Sequence, residues 1–270
     1  MGNDEIVVLL VSIGLTGIFL SRWYRRLATS WRPRRGILTK CVFGVLPIAA
    51  LAVILYTLRV LAAIDVIDDF IYILLYLLLG FAWIYIGMSL TSGCLDLSWT
   101  DDGINLNNPA AVIAVAAAFL AHTVIYSGAN IGDGPGWWCV VFAGGLGLAA
   151  WLILGFAVEK TTHAFERVTI GRDVDTGVRL GAYLLASGII LGRASAGDWT
   201  SFAMTVVEFA AGWPVLLLTA LMIAVERYYV SKSHAAFKTD ERYLLGSLFW
   251  AVVYIGGAVA SVLLLLPPLA

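Results

Sequence analysis

Eight long apolar stretches restrict what this chain can fold into more than any other feature of its sequence. Of its 270 residues, 61% are hydrophobic and 13% are charged, and the mean hydropathy is +0.91. A helix that crosses a membrane needs roughly 20 apolar residues, and this composition excludes an ordinary soluble domain. We therefore predict an all-α, polytopic bundle of about eight transmembrane helices. The helices are expected near residues 5–22, 40–60, 67–90, 109–127, 137–158, 176–195, 202–225 and 243–266.

Basic residues predict how the bundle is oriented. The loop after the first predicted helix is strongly basic, and loops 159–175 and 226–242 are basic as well. Because cytoplasmic loops are enriched in Lys and Arg, these loops are expected inside. Both termini are then extracytoplasmic. The basic residues of the first loop are Arg22, Arg25, Arg26, Arg32, Arg34, Arg35 and Lys40.

One predicted cytoplasmic loop, residues 91–108, is acidic, with Asp96, Asp101 and Asp102 and no basic residue. Acidic residues weigh little in the orientation rule, so the predicted topology is unaffected. The loop is interpreted either as a solvated connector or as a docking surface for a basic partner. A net charge of −1 makes nucleic acid an unsuitable partner for the chain as a whole.

Two segments in the second half of the chain are similar to each other. Residues 142–147 read FAGGLG and residues 209–214 read FAAGWP, and upstream Ile131-Gly132-Asp133 has the counterpart Ala196-Gly197-Asp198. Two predicted helices separate equivalent points, so the copies have the same orientation and form two parallel two-helix repeats. We divide the chain into a two-helix leader with a basic loop (1–62), a lead-in helix with tandem repeats (63–242) and a closing helix (243–270).

Residues 81–112, which include Asn107-Asn108-Pro109-Ala110-Ala111, resemble the YjfL-type family of bacterial inner-membrane proteins of unknown function. A second copy of the pattern is read at 171–177, and the resemblance covers roughly 66–200. It implies a bacterial plasma (inner) membrane location and, by analogy of gene neighbourhood, a connection with polyamines; it supplies no catalytic residues. The chain departs from the pattern in its basic leader and in the Asp-Thr-Gly of the second copy.

Glu208 is the main candidate for a ligand or ion site, because an unpaired carboxylate inside a membrane helix is costly. Gly212 lies one turn further on the same face, and Pro214 is expected to kink the helix and free a carbonyl group. Together they suggest a proton or cation site, or else a structural ion pair. Arg193 is the expected partner of Glu208, although it could instead extend to the headgroups.

A second candidate site is the pair His122 and Tyr126, four residues apart on one helix face. Such a pair could relay protons or bind a ligand, or the histidine could bond a neighbouring helix. Arg179 is expected to pair with Asp175 or Glu226.

Small residues at four-residue spacing predict close helix packing, within the chain or between chains. These are Gly145, Gly147, Gly177, Gly181, Gly188, Gly192 and Gly257.

The chain contains none of the common catalytic motifs, and Cys41, Cys94 and Cys139 are scattered without metal-ligand spacing. We predict no enzyme activity, cofactor or metal. One hypothesis is a membrane protein that conducts, transports or senses a small cation, a proton or polyamine, near Glu208. The alternative is a structural or assembly subunit, with membrane lipids and itself or another membrane protein as partners.

Overall fold

A computed structural model describes residues 1–29, 36–233 and 241–266, apart from the side chains of Asp65 and of residues 232–233 and 241–243. Several predictions lie outside these limits. The basic side chains concerned are Arg32, Arg34, Arg35, Lys232, Lys238 and Arg242.

The described part of the chain is all-α and contains eight helices long and apolar enough to cross a membrane, which confirms the predicted fold class. The first helix is longer than predicted, and the seventh predicted helix is broken into α9, a 3₁₀ turn and α10. The elements are α1 (Asn3–Thr29), α2 (Ile37–Val60), α3 (Ile64–Ile67), α4 (Phe70–Leu95), a π-helix (Trp99–Asn105), α5 (Pro109–Ala129), α6 (Trp137–Thr162), α7 (Ala164–Thr169), α8 (Val174–Ala194), α9 (Phe202–Phe209), the 3₁₀ turn (Ala210–Gly212), α10 (Pro214–Ser233) and α11 (Glu241–Leu264).

Helices α5 and α8 begin in the same way. Asn108 and Asp173 are their N-cap residues, and each side chain accepts hydrogen bonds from backbone N–H groups of the first turn. These bonds satisfy donors that a helix start leaves without partners. The residues before them, Asn107 and Arg172, both have left-handed backbone conformations, with φ of 49° and 52°. This local likeness agrees with the predicted repeat, which over longer segments stays a prediction.

The centre of the bundle is α5, which packs against α8 along its length. Two glycines of α8 make this approach possible. A Cβ atom at Gly177 would lie 2.7 Å from Ala110 Cα, and one at Gly188 would lie 2.7 Å from Ala121 Cα. Small residues allow helix backbones to approach closely in a membrane, where van der Waals packing drives association.

The loops gather at two ends of the bundle. At one, here called the N-terminal end, loops 61–69, 130–136 and 195–201 meet: Ala62 bridges to Gly132, and Gly197 N–H donates to Ile131 O at 3.0 Å. At the opposite end, the Asn108 side chain donates to Val168 O at 2.7 Å. Successive connections between the long helices lie at alternate ends of the bundle, as expected for a chain that crosses a membrane eight times. The side of the membrane on which each end lies stays a prediction.

Candidate functional site: an acidic cavity at the N-terminal end

A cavity of about 50 Å³ lies at the N-terminal end, between loops 61–69, 130–136 and 195–201 and the starts of α6 and α9. This is room for a few water molecules or a small ion. The side chains that give it polar character are Asn130, Asp133, Ser195, Asp198, Thr205 and Glu208. Three of these six are carboxylates.

Two glycine-containing loops form the floor of the cavity. Gly132 has φ of 106°, and a Cβ there would lie 2.5 Å from the Gly197 carbonyl, so only glycine fits. The loops are joined by two hydrogen bonds of 2.7 Å, from Asp133 N–H to Asp198 Oδ1 and from Trp199 N–H to Asp133 O. The two Asp residues that the sequence placed in matching positions are therefore in contact.

Four aromatic rings clamp the start of α6 to the start of α9 beside the cavity. Trp199 meets Trp138 edge-to-face at 4.8 Å and Phe202 at 4.9 Å. Phe142 meets Phe202 in the same manner at 4.9 Å. Edge-to-face pairs are the favoured aromatic arrangement and add to the stabilisation from burial. The clamp therefore holds the cavity wall in place.

Glu208, in the last turn of α9, is exposed and lines the cavity. The ion pairs found in the described ranges do not join it to Arg193. Arg193 lies half-buried in the last turn of α8 and makes other contacts.

The helix break at Pro214 differs in detail from the prediction. Proline cannot donate to Ala210 O four residues earlier, but Trp213 N–H donates to this carbonyl at 3.1 Å instead. The 3₁₀ turn therefore satisfies the oxygen that was expected to be free. Gly212 is buried against α8, where a Cβ would lie 2.8 Å from the Ala194 Cβ. Gly212 and Pro214 are not among the residues that line the cavity, whereas Glu208 is.

His122 and Tyr126 lie away from the cavity lining, in the interface between α5 and α4. Tyr126 Oη donates to Tyr76 O at 2.5 Å. Thr91 Oγ1 donates to Gly87 O and lies 2.8 Å from His122 Nε2. Both side chains are fully buried and join two helices.

The predicted packing glycines fall into two groups. At five of them a Cβ atom would come within 3.0 Å of an atom of a neighbouring helix, all inside the chain: Gly147, Gly177, Gly181, Gly188 and Gly192. At Gly145 and Gly257 it would meet nothing within 4 Å in the described part of the chain. Only the second group is available for contacts between chains.

One charged cluster, at the opposite end of the bundle, was predicted only in part from the sequence. Glu226 is fully buried and lies 2.5 Å from Arg179 Nε and 2.5 Å from Arg167 Nη2. Arg179 also stacks on Tyr229, 4.2 Å from the ring centroid. The sequence named Glu226 as one of two possible partners of Arg179. The second arginine had no sequence signal, because it comes from α7, across the bundle.

Residues 65–194 match the family model of DUF350, a domain of unknown function. The DUF350 match extends from α3 through α8, close to the range of the resemblance seen in the sequence. It includes loop 130–136 and ends before Ser195, so four of the six polar side chains of the cavity lie outside it. No curated protein and no solved structure matches the chain.

The chemistry available in the cavity is that of hard oxygen donors. Carboxylates at a mouth attract cations and raise their local concentration. The hydroxyl groups of Ser195 and Thr205 can replace part of a cation's water shell, and water can occupy the remaining space.

Proposed function

We propose that this chain is a non-enzymatic, multi-pass membrane protein that binds a small cation, a proton or one ammonium group of a polyamine, in the cavity at its N-terminal end and conducts or senses it. The observation that supports this proposal is that Asp133, Asp198 and Glu208, from three separate elements, line one cavity.

Glu208 is the charge-bearing residue of the proposal. It is exposed to the cavity and has no ion-pair partner in the described ranges. A carboxyl group in a membrane protein is stabilised as the anion by water or a counter-ion, or it takes up a proton and becomes neutral. Because the cavity offers space for each of these, Glu208 can exchange one for another.

The test uses the full chain in liposomes. Proton flux is followed with an enclosed pH-sensitive dye, and spermidine uptake with a radiolabel. We expect a cation flux above that of empty liposomes, reduced at least tenfold in Glu208→Gln. Asp198→Asn should reduce it as well, while its side-chain oxygen still accepts the Asp133 N–H bond.

Asp68→Asn is the matched control. Asp68 is an exposed carboxylate at the same end, outside the cavity lining, so this variant should keep full flux. Absence of flux in the unaltered chain, or equal flux in Glu208→Gln, would remove conduction through the cavity. Equal spermidine binding by the unaltered chain and Glu208→Gln would remove sensing at Glu208.

A second candidate function, assembly, is favoured by one observation. Gly256 and Gly257 lie exposed on α11 with open space beside them, as a contact face for another helix requires. If the chain is an assembly subunit, Gly257→Leu breaks up a complex seen by size-exclusion chromatography. Flux that persists in the dissociated variant would separate the two functions.

A further inference from the structure

We propose that Glu159, His163 and Glu166 form a binding site for a divalent transition-metal ion of the Zn²⁺ class, at the end of the bundle opposite the acidic cavity. One donor atom from each side chain lies within 4.8 Å of the other two. His163 was not among the candidate site residues, because the site depends on a sharp change in chain direction between two helices.

That change in direction builds the site. Glu159 lies in the last turn of α6, Glu166 lies in the first turn of α7, and His163 is the single residue between the two helices. His163 has a left-handed backbone, with φ of 54°. This conformation ends α6 and starts α7 at once, so the three side chains share one surface.

Glu159 is already held in position. Its Oε2 accepts the Phe165 N–H at 2.7 Å. This bond uses one carboxylate oxygen and leaves the other for a metal ion. Hydrogen bonds of this kind orient metal ligands and are a regular part of metal sites.

The distances suit one ion. His163 Nδ1 lies 3.2 Å from Glu166 Oε2. With metal–ligand bonds of about 2.0–2.2 Å, two ligands of the same ion lie roughly 3–3.5 Å apart. The His163 and Glu166 side chains are 68% and 56% exposed, so small rotations can close the wider separation to Glu159.

The negative charge of the site is not neutralised by the cations beside it in sequence. Lys160 Nζ lies over the Phe156 ring at 5.2 Å, and Arg167 is bonded to Glu226. In the described ranges neither Glu159 nor Glu166 forms an ion pair with Lys or Arg. The negative pole at the end of α6 adds to the attraction for a cation.

The ligand set selects the class of ion. A neutral imidazole favours Zn²⁺ and its neighbours, whereas Mg²⁺ and Ca²⁺ prefer oxygen ligands alone. Three protein ligands leave at least one position for water or for a group from a partner.

The experiment uses the full chain, purified without a histidine tag, in detergent. Titration calorimetry with Zn²⁺ should show one strong site per chain, and Co²⁺ should give a visible absorption spectrum that Zn²⁺ abolishes. His163→Asn should lower the affinity at least tenfold, and asparagine tolerates the left-handed backbone. Glu166→Gln, a second variant at an exposed position, should also lower the affinity at least tenfold. It keeps the test valid if His163→Asn folds poorly.

Asp68→Asn is the matched control and should bind Zn²⁺ normally, since Asp68 is an exposed carboxylate at the other end and outside the acidic cavity. The proposal is overturned if no site is found, if His163→Asn and Glu166→Gln bind as the unaltered chain does, or if Mg²⁺ competes equally with Zn²⁺. Each of these outcomes is independent of flux through the acidic cavity.

Discussion

Glu208 and Glu226 lie near opposite ends of the same interrupted span, and their surroundings differ completely. Glu208 is exposed beside a cavity. Glu226 is fully buried between Arg167 and Arg179. The seventh span thus has one carboxylate available to a ligand and one already compensated by protein. The partners that the fold supplies, and not membrane depth alone, therefore decide what a membrane carboxylate can do.

Burial of Glu226 costs desolvation free energy, which the exposed Glu208 largely avoids. A buried ion pair is stable only when its charges and hydrogen-bonding groups are matched. Arg179 achieves this with Glu226, Ser247 and Thr176. Because α7, α8, α10 and α11 all contribute to or contact this cluster, it joins the second half of the bundle.

The largest expected effect in stability is that of Glu226→Gln. The change leaves two guanidinium groups in a buried site without their carboxylate, and removing one partner of a buried pair costs about 3–5 kcal/mol. Thermal and denaturant unfolding in detergent measure it. Glu208→Gln is the paired variant and should change stability by less than about 0.5 kcal/mol. Equal losses in the two variants would break the contrast between these carboxylates.

A second expected effect separates the two groups of glycines. Gly188→Leu places side-chain atoms where Ala121 lies and should destabilise the chain by about 1–3 kcal/mol or more. Gly257→Leu enters open space and should leave the melting temperature of the monomer unchanged. Differential scanning fluorimetry compares them. A large loss of stability in Gly257→Leu would show that its face is covered within the chain.

The smallest expected effect concerns Asp102, a third carboxylate, buried without a cation partner in the described ranges. Burial is the main cause that raises its pKa above the usual 3.8, while the hydrogen bond from Ser98 opposes it. The folded chain therefore binds a proton more tightly than the unfolded chain, so stability should fall as pH rises from about 4 through the raised pKa.

Asp102→Asn keeps an acceptor for Ser98 N–H and removes the charge. It should flatten this pH dependence and raise stability slightly at neutral pH, as measured by unfolding across pH 4–7. A steeper dependence in the variant would contradict the explanation.

Much of the fold could be predicted because membrane spans depend on local composition. The eight apolar stretches, the proline break near residue 214 and the helix start at Asn108-Pro109 are all visible in short windows. The first helix was placed too short because its charged end, with Arg22, Arg25 and Arg26, continues the helix beyond the apolar stretch.

The candidate site was predicted in part. Glu208 was singled out by its charge, and Asp133 and Asp198 were noted only as matching positions of the repeat. Their convergence on one cavity depends on loops that meet across the bundle. His122 and Tyr126 were correctly placed on one helix face. Their partners, Thr91 and Tyr76 O, lie on another helix, which no spacing in the sequence reveals.

The class of fold and the order of the spans follow from the amino-acid sequence alone. Each span must satisfy its own backbone hydrogen bonds in lipid, so it is recognisable as one continuous apolar stretch. Only the tertiary structure decided which charges meet. Glu226 lies between two arginines from separate helices, Glu208 faces a cavity formed by three loops, and His163 lies beside Glu159 and Glu166 at a helix junction. The energy of a charge pair depends on the distance between the charges and on how far they are removed from water, so the assembled positions of these groups decide their roles.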